Sequence, residues 1–495
     1  MKKTIKNLIF ISITLFSVTF TGCEKFLDSN PQGYLNQENF PVSAQDALLA
    51  VNAAYAPMRF ASFHSGTFPI LDIMSDDARK GSNPNDAAST IGPYDNFTFT
   101  TTSEQLASWW TTLYQAIKMS NVVINKVADI DMDATLKNRY LGEAHFLRAL
   151  YYFDLVRAWG GVPLVTELIP SLQLNRSTPE KVYELIESDL LFAIEHLPEK
   201  TAYPSDQLGR ASRGAANALM AKVALFQQDY INAEKYALEV INSNVYGLEP
   251  VFTDANGVAG EHGMESVFEI GAAGQEAPPG NQYANVQGVR GTPNRGWGFN
   301  RPTPNLRSTF EEGDPRLKGT IIDLGDVIDG ITIIGDGPTP DVTTDEDGNI
   351  IEVEAYNRKV WTPGNDVPSQ FGHNRRLIRY ADVLLMAAEA LNENNKPGQA
   401  LVYINKVRLR ASQGDDSILP DVTTTDKDEL RSVILLERRR ELAMEGHRFW
   451  DLVRTGRAAQ VLGPLGFVAG KHELLPIPQN EIDLSQGALT QNPNW

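Results

Sequence analysis

The chain has 495 residues, of which 42% are hydrophobic and 21% charged. This composition is typical of a folded globular protein and excludes a chain that is disordered as a whole. Lys and Arg number 44 against 62 Asp and Glu, so the formal net charge at pH 7 is −18. Phosphate contacts need clustered basic side chains, so this charge argues against a nucleic-acid partner. The single cysteine, Cys23, excludes an intrachain disulfide and a CxxC metal site.

The N-terminus has the pattern of a secretory signal peptide. A lysine-rich start precedes an uncharged apolar run from Leu8 to Phe20, which is shorter than the about 20 residues of a membrane-spanning helix. The run ends at Gly22-Cys23, which resembles the lipobox of bacterial lipoproteins. The resemblance implies that residues 1–22 are removed and that the thiol of Cys23 is acylated. Ordinary secretion with a free N-terminal cysteine is the alternative.

Most of the remaining chain is predicted to be helical. Residues 143–159 are apolar almost all round, which predicts a helix buried between neighbours. Residues 178–180 form a helix start signal of hydroxyl, proline and acid, and an apolar stripe follows as far as Leu197. Trp109 and Trp110 fall within another helical pattern, so we expect them in the core rather than in a site.

Two segments of the chain resemble each other. Residues 221–240 and residues 388–407 each have the pattern of a helix, a short polar turn and a second helix, with alanines where the two helices would cross. The pattern resembles the tetratricopeptide helix pair, although the two copies are not in tandem. Paired helices need stacked neighbours to bury their faces, so we predict that the other helices complete the array. Two unrelated amphipathic pairs that look alike are the alternative.

The composition and pattern of the sequence change between these two copies. Residues 271–305 are rich in glycine and proline and are predicted to be loop, whereas residues 321–361 alternate and carry hairpin signals such as Asp347-Gly348. Asp345, Asp347 and Asn349 superficially suggest a calcium loop. Their spacing does not match that of an EF-hand, so we predict a solvated hairpin tip.

Four stretches carry short motifs that are weak singly and specific in this order. They are Cys23 to Asp28 with Pro31, Phe146 to Leu164 with its Trp-Gly-Gly-Val-Pro run, Ile378 to Ala390, and Glu437 to Leu452 followed by the C-terminal Leu475 to Pro478 and Asn492 to Trp495. Together, over essentially the whole mature chain, they resemble the SusD/RagB family of outer-membrane nutrient-binding lipoproteins.

This resemblance implies a mainly α fold, with a body of about eight tetratricopeptide-like helices that carries long loops and small β-hairpins. We place the signal peptide at 1–22, an N-terminal SusD-like helical region with candidate ligand loops at 23–235, and a C-terminal SusD/RagB-like region at 260–495. We expect the two regions to pack as one compact body.

The resemblance also implies a function and a location. The protein would be anchored in the outer membrane by lipid alone, facing the cell exterior, and would capture oligosaccharides for a SusC-like TonB-dependent transporter. A peptide-binding protein of the RagB type, with the same architecture, is the alternative.

Nothing in the sequence brings a nucleophile, a base and an orienting partner together. Glu437 and Glu441 lie one helical turn apart, so their carboxylates would sit side by side and not on opposite sides of a glycosidic bond. With Arg438 and Arg448 they are expected to form a partly buried ion network that orients helices. His447 has no second histidine at ligand spacing, which argues against zinc. We therefore predict a binding protein with no catalytic residue, cofactor or metal ligand, and not an enzyme.

Residues 277–310 form the first candidate ligand loop. They hold Tyr283, Trp297, Phe299 and Asn300 among further amide and arginine side chains, and no Asp or Glu. A sugar presents an apolar C–H face and a rim of hydroxyls, which flat aromatic rings and amides suit. Glycines beside Trp297 would let its ring stand clear of its neighbours. The alternative is that Trp297 and Phe299 pin the loop onto the helices.

A second candidate lies in the N-terminal half, at a position where SusD-like proteins often place ligand contacts. It comprises Asp77 and Arg79 in an Asp-Asp-Ala-Arg run, with Asn83 and Tyr94 downstream. The match is one of position rather than of a clear motif. Aromatic and amide side chains in both segments favour a sugar, whereas acidic pockets in a long groove would favour a peptide.

Overall fold

The computed structural model describes residues 40–168, 173–272, 282–363 and 372–495. Its internal contacts divide the chain into Met1–Val42 and Ser43–Trp495, and the fold below is that of the second unit. The predicted signal peptide, Cys23 and the motif that follows it lie outside the described residues, and the region boundaries at 235 and 260 stay predictions. None of the helices in the described ranges is long and apolar enough to cross a membrane.

The described unit is mainly helical, as predicted. Its longer helices are α1 (Ala44–Tyr55), α2 (Glu104–Lys126), α3 (Ala134–Trp159), α4 (Pro179–His196), α5 (Arg213–Phe226), α6 (Tyr230–Asn242), α7 (Tyr380–Glu393), α8 (Pro397–Ala411) and α9 (Lys427–Leu442). Shorter α-helices span Ile70–Ile73, Gly92–Asp95, Gln282–Gln287, Pro304–Arg307, Arg316–Thr320, Arg448–Arg454, Ala458–Leu462 and Gln479–Leu484.

Local sequence sets where these helices begin and end. Ser43 and Asp46 close a capping box at the start of α1, and α4 begins at Pro179 as its start signal predicts. The helix predicted over 143–159 begins earlier, at Ala134, and ends at Gly160, whose φ of 70° breaks the helical path. It is buried on nearly every side, as its all-round apolar pattern predicts.

Neighbouring helices pack side by side into an array. Each helix from α1 to α5 contacts the next long helix in the chain, α5 pairs with α6, α7 pairs with α8, and α9 covers α7. Trp109 and Trp110 of α2 are buried against Trp159 of α3 at ring-centroid distances of 5.1 and 5.2 Å. The prediction that these two tryptophans belong to the core is confirmed.

The two similar segments form the pairs α5–α6 and α7–α8. Ala221, Ala233, Ala388 and Ala400 are fully buried where the helices meet, so the small side chains permit close packing. Helix α6 packs against α7, which makes the two pairs neighbours in space although they are far apart in the chain. The array is therefore continuous across the sequence that separates them.

Short strands occupy the chain outside the array. They are β1 (Ala78–Gly81), β2 (Ser266–Ile270), β3 (Phe299–Pro302), β4 (Ile321–Asp323), β5 (Val327–Ile328), β6 (Ile331–Thr332), β7 (Val342–Thr344), β8 (Ile350–Val353), β9 (Ala355–Asn357) and β10 (Arg375–Arg379). They form antiparallel two-stranded ladders, β1 with β3, β2 with β10, β4 with β9, β5 with β6 and β7 with β8.

The ladder of β2 and β10 brings together the two ends of residues 271–374, which we call the insertion. The insertion leaves the array after β2 and returns through β10, directly before α7. Within it, the hairpin predicted at Asp347-Gly348 is confirmed, because β7 and β8 pair around that turn. The Asp345 carboxylate accepts hydrogen bonds from the backbone amides of Asp347 and Asn349 at 3.0 and 2.8 Å.

The expectation that residues 271–305 are loop throughout is wrong for their described part. Residues Gln282–Gln287 form a helix, and β3 is a strand. The glycine and proline content obscured both elements. The strand exists because β1, more than 200 residues earlier in the chain, supplies its hydrogen-bonding partner.

A buried ion network joins α8 and α9 of the array to β10 and to Arg316 within the insertion. Glu441 of α9 accepts from Arg410 of α8 at 2.5 Å and from Arg379 of β10 at 3.1 Å, and it lies 3.4 Å from Arg316 of the insertion. Glu437 pairs with Arg316 at 2.6 Å. The predicted network is confirmed for these carboxylates and is more deeply buried than expected.

Two further residues of the predicted network have different partners. Arg438 of α9 pairs with Asp382 of α7 at 2.8 Å, which ties these two helices together. Arg448, expected beside the glutamates of α9, instead pairs with Asp76 at 2.8 Å. The motif of residues 437–452 therefore contacts the start of the second candidate segment, just before β1.

The C-terminal motif closes the array at the end of α3. The indole nitrogen of Trp159 donates to the carbonyl oxygen of Pro476 at 2.9 Å. Asn492 donates to the carbonyl oxygens of Trp159 and Leu475 at 3.1 and 2.7 Å. These motif residues hold the tail in place and so have a structural role.

Candidate functional site

The two candidate ligand segments are neighbours. Strands β1 and β3 pair so that Arg79 lies opposite Arg301 and Gly81 opposite Phe299. The ladder continues beyond the strands, where the backbone amide of Ser82 donates to the carbonyl oxygen of Gly298 at 2.7 Å. Two stretches that the sequence suggested separately thus form one surface.

A cleft of about 500 Å³ opens on this surface. Its walls come from both segments and from a later turn of the insertion, and the lining residues are Asp86, Arg290, Gly291, Asn294, Gly296, Trp297, Phe299, Asp336 and Pro338. The Trp297 side chain is 41% exposed, so it does not act as a buried pin. The cleft therefore offers an aromatic face bordered by charged and amide groups.

Close backbone packing fixes the loop that carries Trp297. The backbone amide of Trp297 donates to the carbonyl oxygen of Asn285 at 2.9 Å. A Cβ at Gly296 would overlap that same oxygen and would come within 2.7 Å of the Cα of Gly288. The glycine at 296 is required for this approach, whereas the sequence suggested only that it freed the ring.

Arg290 links the walls of the cleft. One terminal nitrogen donates to the Ser82 hydroxyl at 2.7 Å and also to Asp86, both from the N-terminal segment. Its Nε lies 2.6 Å from a carboxylate oxygen of Asp336. The hydrogen bond from Arg290 holds the pKa of Asp86 below its usual value.

These three cleft residues were not among the residues singled out from the sequence. Asp86 and Asp336 lie outside any recognisable motif, and Arg290 is one of several arginines in its loop. The sequence contains one indirect sign of these contacts. Residues 277–310 have no acid of their own, so an arginine there needs a carboxylate from elsewhere in the chain.

Two predicted site residues are buried at the cleft, where Phe299 contributes to the lining and Asn300 does not. Phe299 is buried, with its ring edge-on to Phe68 at 4.9 Å. Asn300 is fully buried and donates to Gln287 at 2.7 Å and to Asp72 at 3.2 Å. Both residues support the floor of the cleft through internal contacts.

Three more predicted residues are buried farther from the cleft. Tyr283 packs beside His64, with ring centroids 5.3 Å apart, and Tyr94 stacks on Phe99 at 4.9 Å. Burial raises the pKa of Tyr94 well above its usual value. Asp77 is fully buried and accepts from Arg439 at 2.7 Å. Since their side chains are enclosed by protein, we leave these three out of the proposed contact set.

The remaining predicted residues keep partly exposed side chains. Arg79 donates to the carbonyl oxygen of Asp95 at 3.1 Å. Asn83 accepts from the backbone amide of Asn85 at 3.2 Å, and its carbonyl oxygen accepts from the amide of Asp86. Asn83 is thus close to the cleft wall, and both residues remain candidate contacts, although neither lines the cleft itself.

A second, smaller cavity of about 70 Å³ lies between α3 and the ion network, lined in part by Trp109, Lys222, Arg375 and His447. A space of this size suits a few water molecules better than a sugar ring. Burial lowers the pKa of His447 to about 3, which keeps its imidazole neutral. Across the described ranges, no group of three or more His, Cys, Asp or Glu side chains is arranged to hold a metal ion.

Comparisons with known families match most of the chain. Residues 264–468 match the family described as the SusD family. Residues 25–225 match the family described as starch-binding associating with outer membrane. SusD-like protein P2 of Formosa agariphila is 30% identical to this chain, over 98% of this chain and 99% of the relative.

Solved structures give the same result. A laminarin binding SusD-like protein is 31% identical and has a TM-score of 0.76, over 92% of this chain and 100% of its own. Surface glycan-binding protein A from Bacteroides thetaiotaomicron, in complex with laminarihexaose, is 25% identical with a TM-score of 0.75, over 91% and 100% of the two chains. With full-length sequence similarity and the same arrangement of paired helices, this chain belongs to the SusD family.

Proposed function

We propose that this protein is a cell-surface lipoprotein that binds a glycan in the cleft beside Trp297 and delivers it to a SusC-like TonB-dependent transporter. The observation that carries the proposal is the exposed ring of Trp297 above a cleft of about 500 Å³. Polar side chains from two distant segments surround that ring.

The chemistry of the cleft suits a sugar. Pyranose rings present C–H groups on one face, which can stack on a flat indole, and their hydroxyls both donate and accept hydrogen bonds. Asn294 offers both functions, while Asp86 and Asp336 accept. Because two relatives are named for laminarin and laminarihexaose, laminarihexaose is the first ligand to test.

The cleft carboxylates support binding without catalysis. A glycosidase needs one carboxyl group that stays protonated as a general acid, which requires a raised pKa. Asp86 and Asp336 both contact Arg290, and this contact lowers the pKa of Asp86. We propose that Asp86 stays ionised and that both carboxylates position sugar hydroxyls.

Trp297→Ala tests the site. We expect the affinity for the bound glycan to fall at least tenfold, about 1.4 kcal/mol, because stacking is lost. The melting temperature should shift by a few degrees at most, because the ring is largely outside the core. Calorimetric titration and thermal unfolding measure the two quantities.

Phe60→Ala is the matched control, since Phe60 is also an exposed aromatic, at 47%, and does not line the cleft. Unchanged affinity in folded Trp297→Ala protein would remove this residue from the site and move attention to Arg79 and Asn83. Binding of peptides and of no glycan would favour the peptide alternative.

The proposed anchor is tested at Cys23, which lies outside the described residues. Cys23→Ala should abolish incorporation of labelled fatty acid and release the protein from membranes. Incorporation of label into the variant would contradict lipidation at this residue.

The proposed partnership is tested by purification from native membranes in mild detergent. We expect a TonB-dependent transporter to co-purify with the wild-type protein. A chain that is always recovered alone, under conditions that preserve other such pairs, would argue against delivery to a transporter.

A further inference from the structure

Resting on the proposed glycan site, we propose that the cleft selects uncharged glycans and discriminates against anionic ones such as oligouronates. The structural basis is that the cationic side chain of the cleft is already neutralised by two carboxylates. The inference concerns the class of ligand and goes beyond glycan binding as such.

The charges that line the cleft sum to a negative value. Among its lining side chains in the described residues, Arg290 is cationic and Asp86 and Asp336 are anionic. An anionic sugar in contact with the Trp297 ring would therefore meet one more negative charge than positive. Like charges at an interface lower affinity, and a partly enclosed cleft screens them less than open solvent does.

The geometry of Arg290 reinforces this charge balance. A guanidinium group can hold a carboxylate through two parallel N–H···O hydrogen bonds, and it has two edges that allow this. One edge presents the two terminal nitrogens, and the other presents Nε with one terminal nitrogen. One terminal nitrogen is bonded to Asp86 and Ser82, and Nε is bonded to Asp336. Each edge has one nitrogen engaged, so an incoming carboxylate cannot form the paired contact without displacing an internal partner.

Two cationic side chains near the cleft also have internal partners. Arg301, below the cleft, pairs with Glu352 at 3.0 Å and lies 3.9 Å from Glu354. The Lys80 ammonium donates to the carbonyl oxygens of residues 81, 83 and 86 at 2.8, 3.1 and 2.9 Å. Lys80 is thus bonded within its own N-terminal segment, and Arg301 ties β3 to β8. Because both side chains already have internal partners, they do not supply a binding site for an acidic sugar.

The same carboxylates favour the binding of uncharged sugars. A carboxylate has about four lone-pair positions, so Asp86 and Asp336 can accept from sugar hydroxyls while they hold Arg290. Hydrogen bonds to ionised acceptors are the stronger kind. The charged side chains therefore favour hydroxyl donors and disfavour a carboxylate on the sugar.

A matched panel of hexasaccharides tests the inference by calorimetric titration. The neutral members are laminarihexaose, cellohexaose and mannohexaose, and the anionic members are hexagalacturonate and hexamannuronate. We expect at least one neutral member to bind and the anionic members to bind at least tenfold more weakly than it. The difference should shrink as salt is raised, because salt screens the repulsion.

Asp336→Asn tests the assigned cause. The change leaves Arg290 with one carboxylate partner, so the affinity for the anionic members should rise about three- to tenfold relative to the neutral ligand. Glu184→Gln is the matched control, because it makes the same charge change on α4, where the side chain is 63% exposed and pairs with Lys181. The control should leave the ratio unchanged. Asp86→Asn makes the same test if Asp336→Asn does not fold.

The outcomes separate this inference from the proposed function. A protein that binds an anionic member as tightly as any neutral one still binds glycans, and it contradicts the inference alone. An unchanged ratio in both folded cleft variants also contradicts it. A protein that binds no member of the panel overturns the proposed function, and the inference with it.

Discussion

The helical array and the insertion hold their residues in place by different means. The array buries apolar stripes and closes over an ion network, and its pairs α5–α6 and α7–α8 meet through fully buried alanines. The insertion has only a small apolar cluster, which includes Ile322, Tyr356 and Trp361, and it otherwise depends on two-stranded ladders, close backbone approaches and a few ion pairs. We infer that stability resides chiefly in the array and recognition chiefly in the insertion.

The first prediction breaks the array at its ion network. Glu441→Gln removes one of the two buried carboxylates that Arg379 and Arg410 share, the other being Glu265. The loss of this negative charge from the buried network should lower the free energy of unfolding by about 3–5 kcal/mol. Denaturant unfolding measures the loss. Glu184→Gln, at an exposed ion pair, should cost less than about 1 kcal/mol. Equal effects of the two changes would contradict the structural role of the network.

The second prediction removes a large core side chain. Trp109 is 2% exposed and packs on Trp159, so Trp109→Ala should lower the free energy of unfolding by about 3–5 kcal/mol. Glycan affinity should be unchanged at temperatures where the variant is folded. Phe60→Ala provides the exposed comparison. A variant as stable as wild type with weakened binding would reverse the assignment of the two regions.

The third prediction concerns the ladder that joins the two regions. Burial alone would raise the pKa of Glu269 on β2, but the hydrogen bond from His262 and the charge of Arg376 lower it from 4.5 to about 2. The folded state thus favours the ionised form more strongly than the unfolded chain does. Its stabilising contribution is complete above about pH 4.5 and is lost as the pH falls towards 2.

Glu269→Gln should therefore lower the free energy of unfolding at pH 7 by about 1–3 kcal/mol and flatten its fall between pH 4.5 and 2. Thermal unfolding at pH 7 and between pH 4.5 and 2 measures both effects. Glu312→Gln, at an exposed glutamate of the insertion, is the control and should retain the wild-type slope. A Glu269→Gln variant with the wild-type slope would show that this carboxylate is not responsible.

The fourth prediction has the smallest effect on stability. Gly296→Ala places a methyl group against the carbonyl oxygen of Asn285, which should displace the Trp297 loop while leaving the array intact. We expect glycan affinity to fall several-fold with a melting shift of a few degrees. Gly398→Ala, at a glycine with open space around its Cβ position, is the control. Unchanged affinity in Gly296→Ala would mean that the loop can move without consequence.

The sequence predicts the array better than the cleft for a physical reason. Helix periodicity, caps and turn residues act over a few positions, so Pro179 and the Asp347-Gly348 turn could be interpreted from local sequence. The cleft depends on contacts between distant residues, such as the bond of Arg290 to Asp336 and the pairing of β1 with β3.

Burial explains why some residues predicted to contact ligand do not reach the cleft. Tyr94 and Asp77 have the side-chain chemistry of ligand contacts, and no local pattern shows that Phe99 and Arg439 enclose them. Trp297, in contrast, lies among glycines, and this local feature made it a good candidate. Its 41% exposure supports keeping it.

The ladder of β2 and β10 has a consequence for how such proteins can diversify. Because the insertion leaves and re-enters the array at adjacent backbone positions, its length and sequence can change between relatives while the helix pairs on either side keep their contact. Ligand recognition can then change through replacement of the insertion while the helical array stays the same. The pairing of β1 with β3 sets one condition on such an exchange: a transplanted insertion must bring, or find, a matching strand in the N-terminal half.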